Sequence, residues 1–229
     1  MDAGRKGKLK SITFEQNGRR VTVFAEEILF ALGRVPDTAS LGLAKAGVKT
    51  EPDGRIITND KMQTSAPHIF AAGDVCGPHE IVHIAIQQGE TAVHNMMKPR
   101  APRRINYRLL LSVVFTEPQV ATVGLTEKTA RENKVPFLAA SYPFNDHGKS
   151  LIMEAKDGFV KLLANPKTGE IIGGSCVGPS GGELIHEIVA AMAKRMTVRE
   201  LAAMPHYHPT LAEIWTYPAE ELMEKVAGH

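Results

Sequence analysis

Hydrophobic and polar side chains alternate near the start of the chain. Lys8-Leu9-Lys10-Ser11-Ile12-Thr13-Phe14-Glu15 and Arg20-Val21-Thr22-Val23-Phe24 each read as a strand, because successive side chains of an extended backbone point to opposite faces. Asn17-Gly18 lies between them and suits the positive φ angles of a tight turn, which predicts a β-hairpin. Glu27-Ile28-Leu29-Phe30-Ala31-Leu32 breaks the alternation. This continuous apolar run, ending at Gly33-Arg34-Val35-Pro36, predicts a buried strand entering a loop. After the turn Pro52-Asp53-Gly54, Arg55-Ile56-Ile57-Thr58 predicts a short strand. His68-Ile69-Phe70-Ala71-Ala72 predicts another, opened by Ala66-Pro67 and closed by Gly73-Asp74. The period then changes. Over residues 80–97, Ile81, Ile84, Ala85, Gln88, Ala92, Val93 and Met96 recur at helical spacing.

Pro99-Arg100-Ala101-Pro102-Arg103-Arg104 has no apolar pattern and marks a boundary, read as a solvated linker. Beyond it, Val113-Val114-Phe115 and Val120-Ala121-Thr122-Val123 are strand-like, and Thr126 begins a short polar helix. Gly158-Phe159-Val160-Lys161-Leu162-Leu163 and Glu170-Ile171-Ile172-Gly173-Gly174 flank the turn Asn165-Pro166-Lys167-Thr168-Gly169, a second hairpin signal. Ser180 with Glu183, and Thr197 with Glu200, have the spacing of capping boxes that open helices. The pattern is a mixed α/β first part followed by an α+β domain.

Composition narrows the class. The 27 Lys and Arg nearly balance the 25 Asp and Glu, which argues against a dedicated nucleic-acid binder. Arg100, Arg103, Arg104 and Arg108 have no basic stripe with aromatics around them. No apolar run reaches the length of a membrane span, and the charged opening residues have no apolar stretch behind them, so neither a span nor a secretory leader is expected. Cys76 and Cys176 are too far apart for a local dithiol motif. The expectation is a soluble, cytoplasmic protein.

Two stretches carry candidate chemistry. In His206-Tyr207-His208-Pro209-Thr210-Leu211-Ala212-Glu213, a proline at the first position of a helix would leave His208 at its cap, with Glu213 projecting from the first turns. A carboxylate beside an imidazole orients the ring and fixes its tautomer, as an acid–base histidine requires. The residue types also allow a surface histidine with an unrelated glutamate, and His206, His208 and Glu213 allow a metal site. The second stretch is the apolar segment ending in Gly73-Asp74. It would place a carboxylate at a strand's C-terminal edge, where open α/β sheets bind ligands. An aspartate that only caps the next turn is the alternative there.

Four stretches in order resemble the pyridine nucleotide–disulfide oxidoreductases, a family of flavoproteins. They are Ala31-Leu32-Gly33-Arg34-Val35-Pro36-Asp37-Thr38, His68-Ile69-Phe70-Ala71-Ala72-Gly73-Asp74-Val75, Val113-Val114-Phe115-Thr116-Glu117-Pro118-Gln119-Val120-Ala121-Thr122-Val123-Gly124 and His208-Pro209-Thr210-Leu211-Ala212-Glu213. The resemblance implies a fold of α/β and α+β parts, the C-terminal portion of a two-domain FAD- and NAD-binding core followed by a dimerisation domain. Residues 1–37 would be the tail of the NAD-binding domain, 38–104 the end of the FAD-binding domain and 105–229 the dimerisation domain. Asp74, with Gly73, would bind the FAD ribityl chain. Glu80, Ile81, Val82 and His83 would bring a helix start to the flavin pyrimidine edge, and Gly33 would lie near the nicotinamide dinucleotide, NAD or NADP. His208 would be the base, Glu213 its partner, and Pro209 would follow a cis peptide. In such a homodimer the pair serves the redox disulfide of the other subunit.

The chain departs from the family's pattern as well. It has neither the G-x-G-x-x-G loops nor the C-x-x-x-x-C pair, and Gly173-Gly174 and Gly181-Gly182 are poor phosphate loops. A missing N-terminal half or a separate subunit would have to supply them, and the chain alone would be inactive. Within the family, His208-Pro209-Thr210-Leu211-Ala212-Glu213 and Ile105-Asn106-Tyr107 look closest to enzymes acting on small dithiols of the lipoamide kind. Glutathione-reductase-like and mercuric-reductase-like chemistry remain alternatives, as does a non-catalytic dimerising module.

Overall fold

The computed structural model describes residues 2–227. Strands β1 (Asp2–Lys6), β2 (Leu9–Gln16) and β3 (Arg19–Ala25) form an antiparallel sheet in that order. The β2–β3 hairpin turns at Asn17 and Gly18, both with positive φ, as expected of Asn-Gly. Strand β1 was not legible, because its charged sequence carries no alternation.

The apolar run over residues 27–32 corrects the expectation of a buried strand. It is irregular, and Leu29, Phe30 and Leu32 are exposed. A buried strand needs neighbours for its peptide groups and a face to cover, and the described residues provide neither here. The short strands expected at 55–58 and 68–72 reduce to single bridges, Thr50 with Ile56 and Gln63 with Phe70. Even so, Val48, Ile56, Ala66 and Cys76 form a small core with Ile69 and Ala71 against it.

Helix α1 (Val82–Met97) follows. The buried side differs from the one that hydrophobicity selects. Gln88, Thr91 and Asn95 are buried with Ile84 and Ala92, whereas Val93 and Met96 are exposed. Polar burial is satisfied locally. Asn95 donates to the carbonyls of Lys61 and Arg103 and accepts from the Arg103 amide. The 99–104 segment is therefore tied back onto α1 and does not behave as a free linker; Ile105 also donates to the Asp60 carbonyl.

The remainder is one α+β unit. Strands β4 (Leu111–Val114), β5 (Gln119–Gly124), β6 (Leu138–Pro143), β7 (Phe159–Ala164) and β8 (Ile171–Gly178) form an antiparallel sheet ordered β4-β5-β8-β7-β6. Helix α2 (Glu127–Glu132) opens with a capping interaction at Thr126. A short helix α3 (Gly148–Ile152) follows β6. Helix α4 (Gly181–Ala193) lies along β5 and β8, and α6 (Thr216–Ala227) along β6 and β7, with α5 (Val198–Ala203) beside α6. They enclose a single core that includes Phe144, Leu162, Ile171, Ile185, Ile188, Met192 and Trp215. The Thr197–Glu200 capping box forms. The Ser180–Glu183 one does not, because Ser180 is left-handed at φ 53° and its side chain makes no cap. Among the described residues no helix is long and apolar enough to cross a membrane.

Candidate functional site

Glu213 owes its position to its neighbours. It lies in a 3₁₀ turn (Ala212–Trp215) whose last two residues, Ile214 and Trp215, are fully buried. The Trp215 indole N–H donates to the Leu184 carbonyl, and the Thr216 hydroxyl donates to the carbonyl of Glu213 itself. Burial of two large apolar side chains thus fixes a carboxylate beside them. The loop 205–210 passes over it, with a cis peptide between His208 and Pro209. His208 Nδ1 sits 2.9 Å from Oε2 and 3.1 Å from Oε1 of Glu213. The sequence-based pair is brought together, but not by a helix opening at Pro209: the first helical residue is Ala212, so Pro209 is a loop residue and His208 is not at a helix cap.

His206 does not join them. Its Nε2 lies 2.6 Å from Glu187 Oε1 on α4, and its Nδ1 lies 2.9 Å from the Met204 carbonyl. The metal arrangement of His206, His208 and Glu213 is thereby corrected, and among the described residues no group of three His, Cys, Asp or Glu side chains could hold a metal ion.

A second histidine reaches Glu213 that sequence reasoning missed. His147 Nε2 lies 3.3 Å from Oε1, and His147 Nδ1 lies 2.8 Å from the Ser150 hydroxyl. It comes from the β6–α3 connection, some sixty residues from the motif, and no spacing rule links the two. Burial holds the His147 imidazole below its ordinary range, with the Glu213 carboxylate pulling the other way.

The other singled-out residues cluster on the far part of the chain. Gly73 is buried, and its N–H donates to the Gln88 side chain at 2.7 Å. Gln88 also donates to the Gly77 carbonyl and the Tyr107 hydroxyl, clamping the 73–77 loop onto α1. Asp74 is half-buried and paired with Arg34 at 2.7 Å, which joins the Gly33-Arg34 and Gly73-Asp74 motifs in space. Gly33 itself is exposed, at φ 102°, with open space where a side chain would be. Glu80 lies 3.7 Å from Arg55. Ile81 is the N-cap of α1 and offers no side-chain cap, while Val82 and His83 are exposed on its first turn. The first amides of the helix are therefore free of side-chain capping. Both cysteines are buried and free, and burial raises both thiols, Cys176 to about 12. Neither is a ready thiolate.

Two profiles of one protein family match the chain. Residues 110–219 match the dimerisation domain of the pyridine nucleotide-disulphide oxidoreductases, and residues 2–89 match the pyridine nucleotide-disulphide oxidoreductase profile itself. The chain belongs to this family. Among its relatives, it is 35% identical over 210 residues to dihydrolipoyl dehydrogenase of Geobacillus stearothermophilus, covering 92% of this chain and 44% of that protein. It is 37% identical over 214 residues to the dihydrolipoyl dehydrogenase of Thermus scotoductus, covering 93% and 46%. Among solved structures, LpdA from Mycobacterium tuberculosis superposes with a TM-score of 0.83 at 30% identity, over 96% of this chain and 47% of that one. The flavoprotein disulfide reductase RclA from Escherichia coli shares the fold, at a TM-score of 0.79 and 23% identity over 95% and 49% of the two chains. The chain thus spans a little under half the length of the proteins it matches.

Proposed function

We propose that this chain is the C-terminal portion of an FAD-dependent, NAD(P)-linked disulfide oxidoreductase of the dihydrolipoyl dehydrogenase kind. Residues 1–37, 38–104 and 105–229 act as the tail of the nucleotide domain, the end of the FAD domain and the dimerisation domain. The observation that carries this reading is the His208–Glu213 pair, an exposed loop imidazole 2.9 Å from a buried carboxylate within the region matched by the family's dimerisation profile.

The chemistry of this chain is proton handling. Glu213 accepts from His208 Nδ1–H, which leaves Nε2 as the basic atom on the exposed side of the ring. There it takes a proton from a thiol of a small dithiol such as dihydrolipoamide and returns it in the reverse direction. A thiolate, not a thiol, is the form that attacks a disulfide. The disulfide itself comes from a C-x-x-x-x-C pair outside this chain, across a homodimer.

Residues present here suit FAD. Asp74 has a half-exposed carboxylate that can accept from ribityl hydroxyls, beside the backbone of Gly73. The uncapped start of α1, at Ile81, Val82 and His83 beside Glu80, presents free N–H groups and a positive helix end to a flavin edge that gains negative charge. Gly33 offers open backbone to the nicotinamide dinucleotide. FAD, when bound, would carry electrons between the nicotinamide and the disulfide.

The test is reconstitution. Alone, the purified chain should be colourless, dimeric and without lipoamide-dependent NADH oxidation. Joined to a first half that holds the glycine loops and the cysteine pair, it should become yellow and active. A joined protein that folds and dimerises but binds no flavin would overturn the reading.

A further inference from the structure

His147 belongs to none of the motifs above, and its setting is unusual. Its side chain is 0% exposed, and Nε2 is a buried nitrogen without a well-formed hydrogen bond. Glu213 Oε1 lies 3.3 Å from it, at the long end of the N–H···O range and out of line with the ring N–H. Such contacts in an active site commonly shorten when the reacting complex assembles. The backbone holds the ring in place. Phe144, fully buried, accepts from the His147 amide through its carbonyl, and Ser150 meets Nδ1 at 2.8 Å.

Exposure decides which histidine can fix the carboxylate. The His208 side chain is 77% exposed and Glu213 is 11% exposed, whereas His147 is sealed from solvent. A ring that faces water cannot anchor the group that orients it; a buried ring can. We propose that His147, held through Ser150, is a positioning residue of the His208–Glu213 pair, its Nε2–H directed to Oε1 so that the carboxylate stays turned to His208 Nδ1. The proposal rests on reading His208 as the acid–base group.

The protonation pattern follows from the surroundings. Burial disfavours a second proton on His147, so the neutral ring has one donor and one acceptor nitrogen. Facing an anion, Nε2 carries the proton, and Nδ1 then accepts from the Ser150 hydroxyl. The remaining groups on this side do not compete. Tyr217 meets the His147 ring edge-on at 6.2 Å, and Tyr142 stacks on Tyr217 at 4.0 Å. The Tyr142 hydroxyl donates to the Asp146 carboxylate, which gives that neighbouring acid a partner other than the imidazole.

Ring-nitrogen NMR of the full 229-residue chain tests this without any substrate. At neutral pH, His147 should carry its proton on Nε2, and His208 should be mainly the Nδ1–H form. In His147→Leu the Nδ1–H form of His208 should fall several-fold, while His147→Gln, which keeps an N–H donor, should retain it. Ser150→Ala, a smaller change, should produce part of the same loss. A His147 proton on Nδ1 in the unmodified chain would overturn the proposal, as would equal His208 signals in the Leu and Gln variants. If His147→Leu does not fold, the unmodified spectrum and Ser150→Ala still decide. These signals do not depend on dithiol turnover, so failure of the oxidoreductase reading would leave them interpretable, and their own failure would leave that reading intact.

Discussion

Glu213 touches two imidazoles at once, His208 through Oε2 at 2.9 Å and His147 through Oε1 at 3.3 Å. One ring faces solvent and the other is buried, so the carboxylate links an exposed imidazole to the core. That core includes Ile214 and Trp215, which follow Glu213 directly in the chain.

Replacing Glu213 by Gln keeps the size of the side chain and removes its charge. A Gln oxygen can still accept from His208, but it no longer stabilises the imidazolium that forms when the ring takes a proton. In the completed enzyme, dithiol turnover should fall by at least about tenfold, yet less than on removal of His208 itself. Steady-state kinetics with dihydrolipoamide measures this. Unchanged turnover would mean that the carboxylate has no part in the chemistry.

Burial depresses the titration of His147 from its ordinary value of 6.5. The unfolded chain therefore binds this proton at a higher pH than the folded one. The stability that the neutral ring contributes is fully present above about pH 6.5 and is lost as pH falls from there through the folded value. Glu213 and His208 lie beside the ring and modulate the amplitude. Urea denaturation at pH 7.5 and pH 5.5 should show the loss in the unmodified chain and a smaller loss in His147→Gln.

Gly158 secures the segment that presents His147. Its φ is +107°, a Cβ there would lie 1.8 Å from the Val177 carbonyl oxygen, and its own carbonyl accepts from Phe144 N–H. Gly158→Ala must displace β7 from β8 or unseat Phe144. A loss of about 3 kcal/mol or more is expected, at the severe end for one substitution. Equilibrium unfolding would measure it.

Amide hydrogen exchange should divide the chain unevenly. Residues 27–37 lack strand pairing and leave Leu29, Phe30, Leu32 and Val35 exposed, so their amides should exchange close to unprotected rates. Strands β7 and β8 and helix α4 should be the slowest. Comparable protection in both regions would contradict this picture of the first part.

Much of the α+β unit was legible because its signals are local. There, Thr197 with Glu200 satisfies a helix start within four residues, and in the separate first sheet Asn17-Gly18 likewise sets a hairpin through backbone torsions alone. The His208–Glu213 pair was legible for the same reason, since five residues separate the partners. Where tertiary context decides, the sequence misled. The run 27–32 looks buried but has no partner to cover it, and α1 buries Gln88 and Asn95 because loops from 61–77 and 103 offer them hydrogen bonds. His147 stayed hidden because only the fold brings the β6–α3 connection onto the turn that holds Glu213.

The most direct test of the account is His208→Gln in the enzyme completed with its first half, with the two half-reactions measured separately. Flavin reduction by NADH should be nearly unchanged, while dithiol–disulfide turnover falls by about 10²–10⁴-fold, the usual contribution of a general acid–base group. Equal loss in both half-reactions, or no loss in either, would contradict the assignment of His208 as the group that moves the thiol proton.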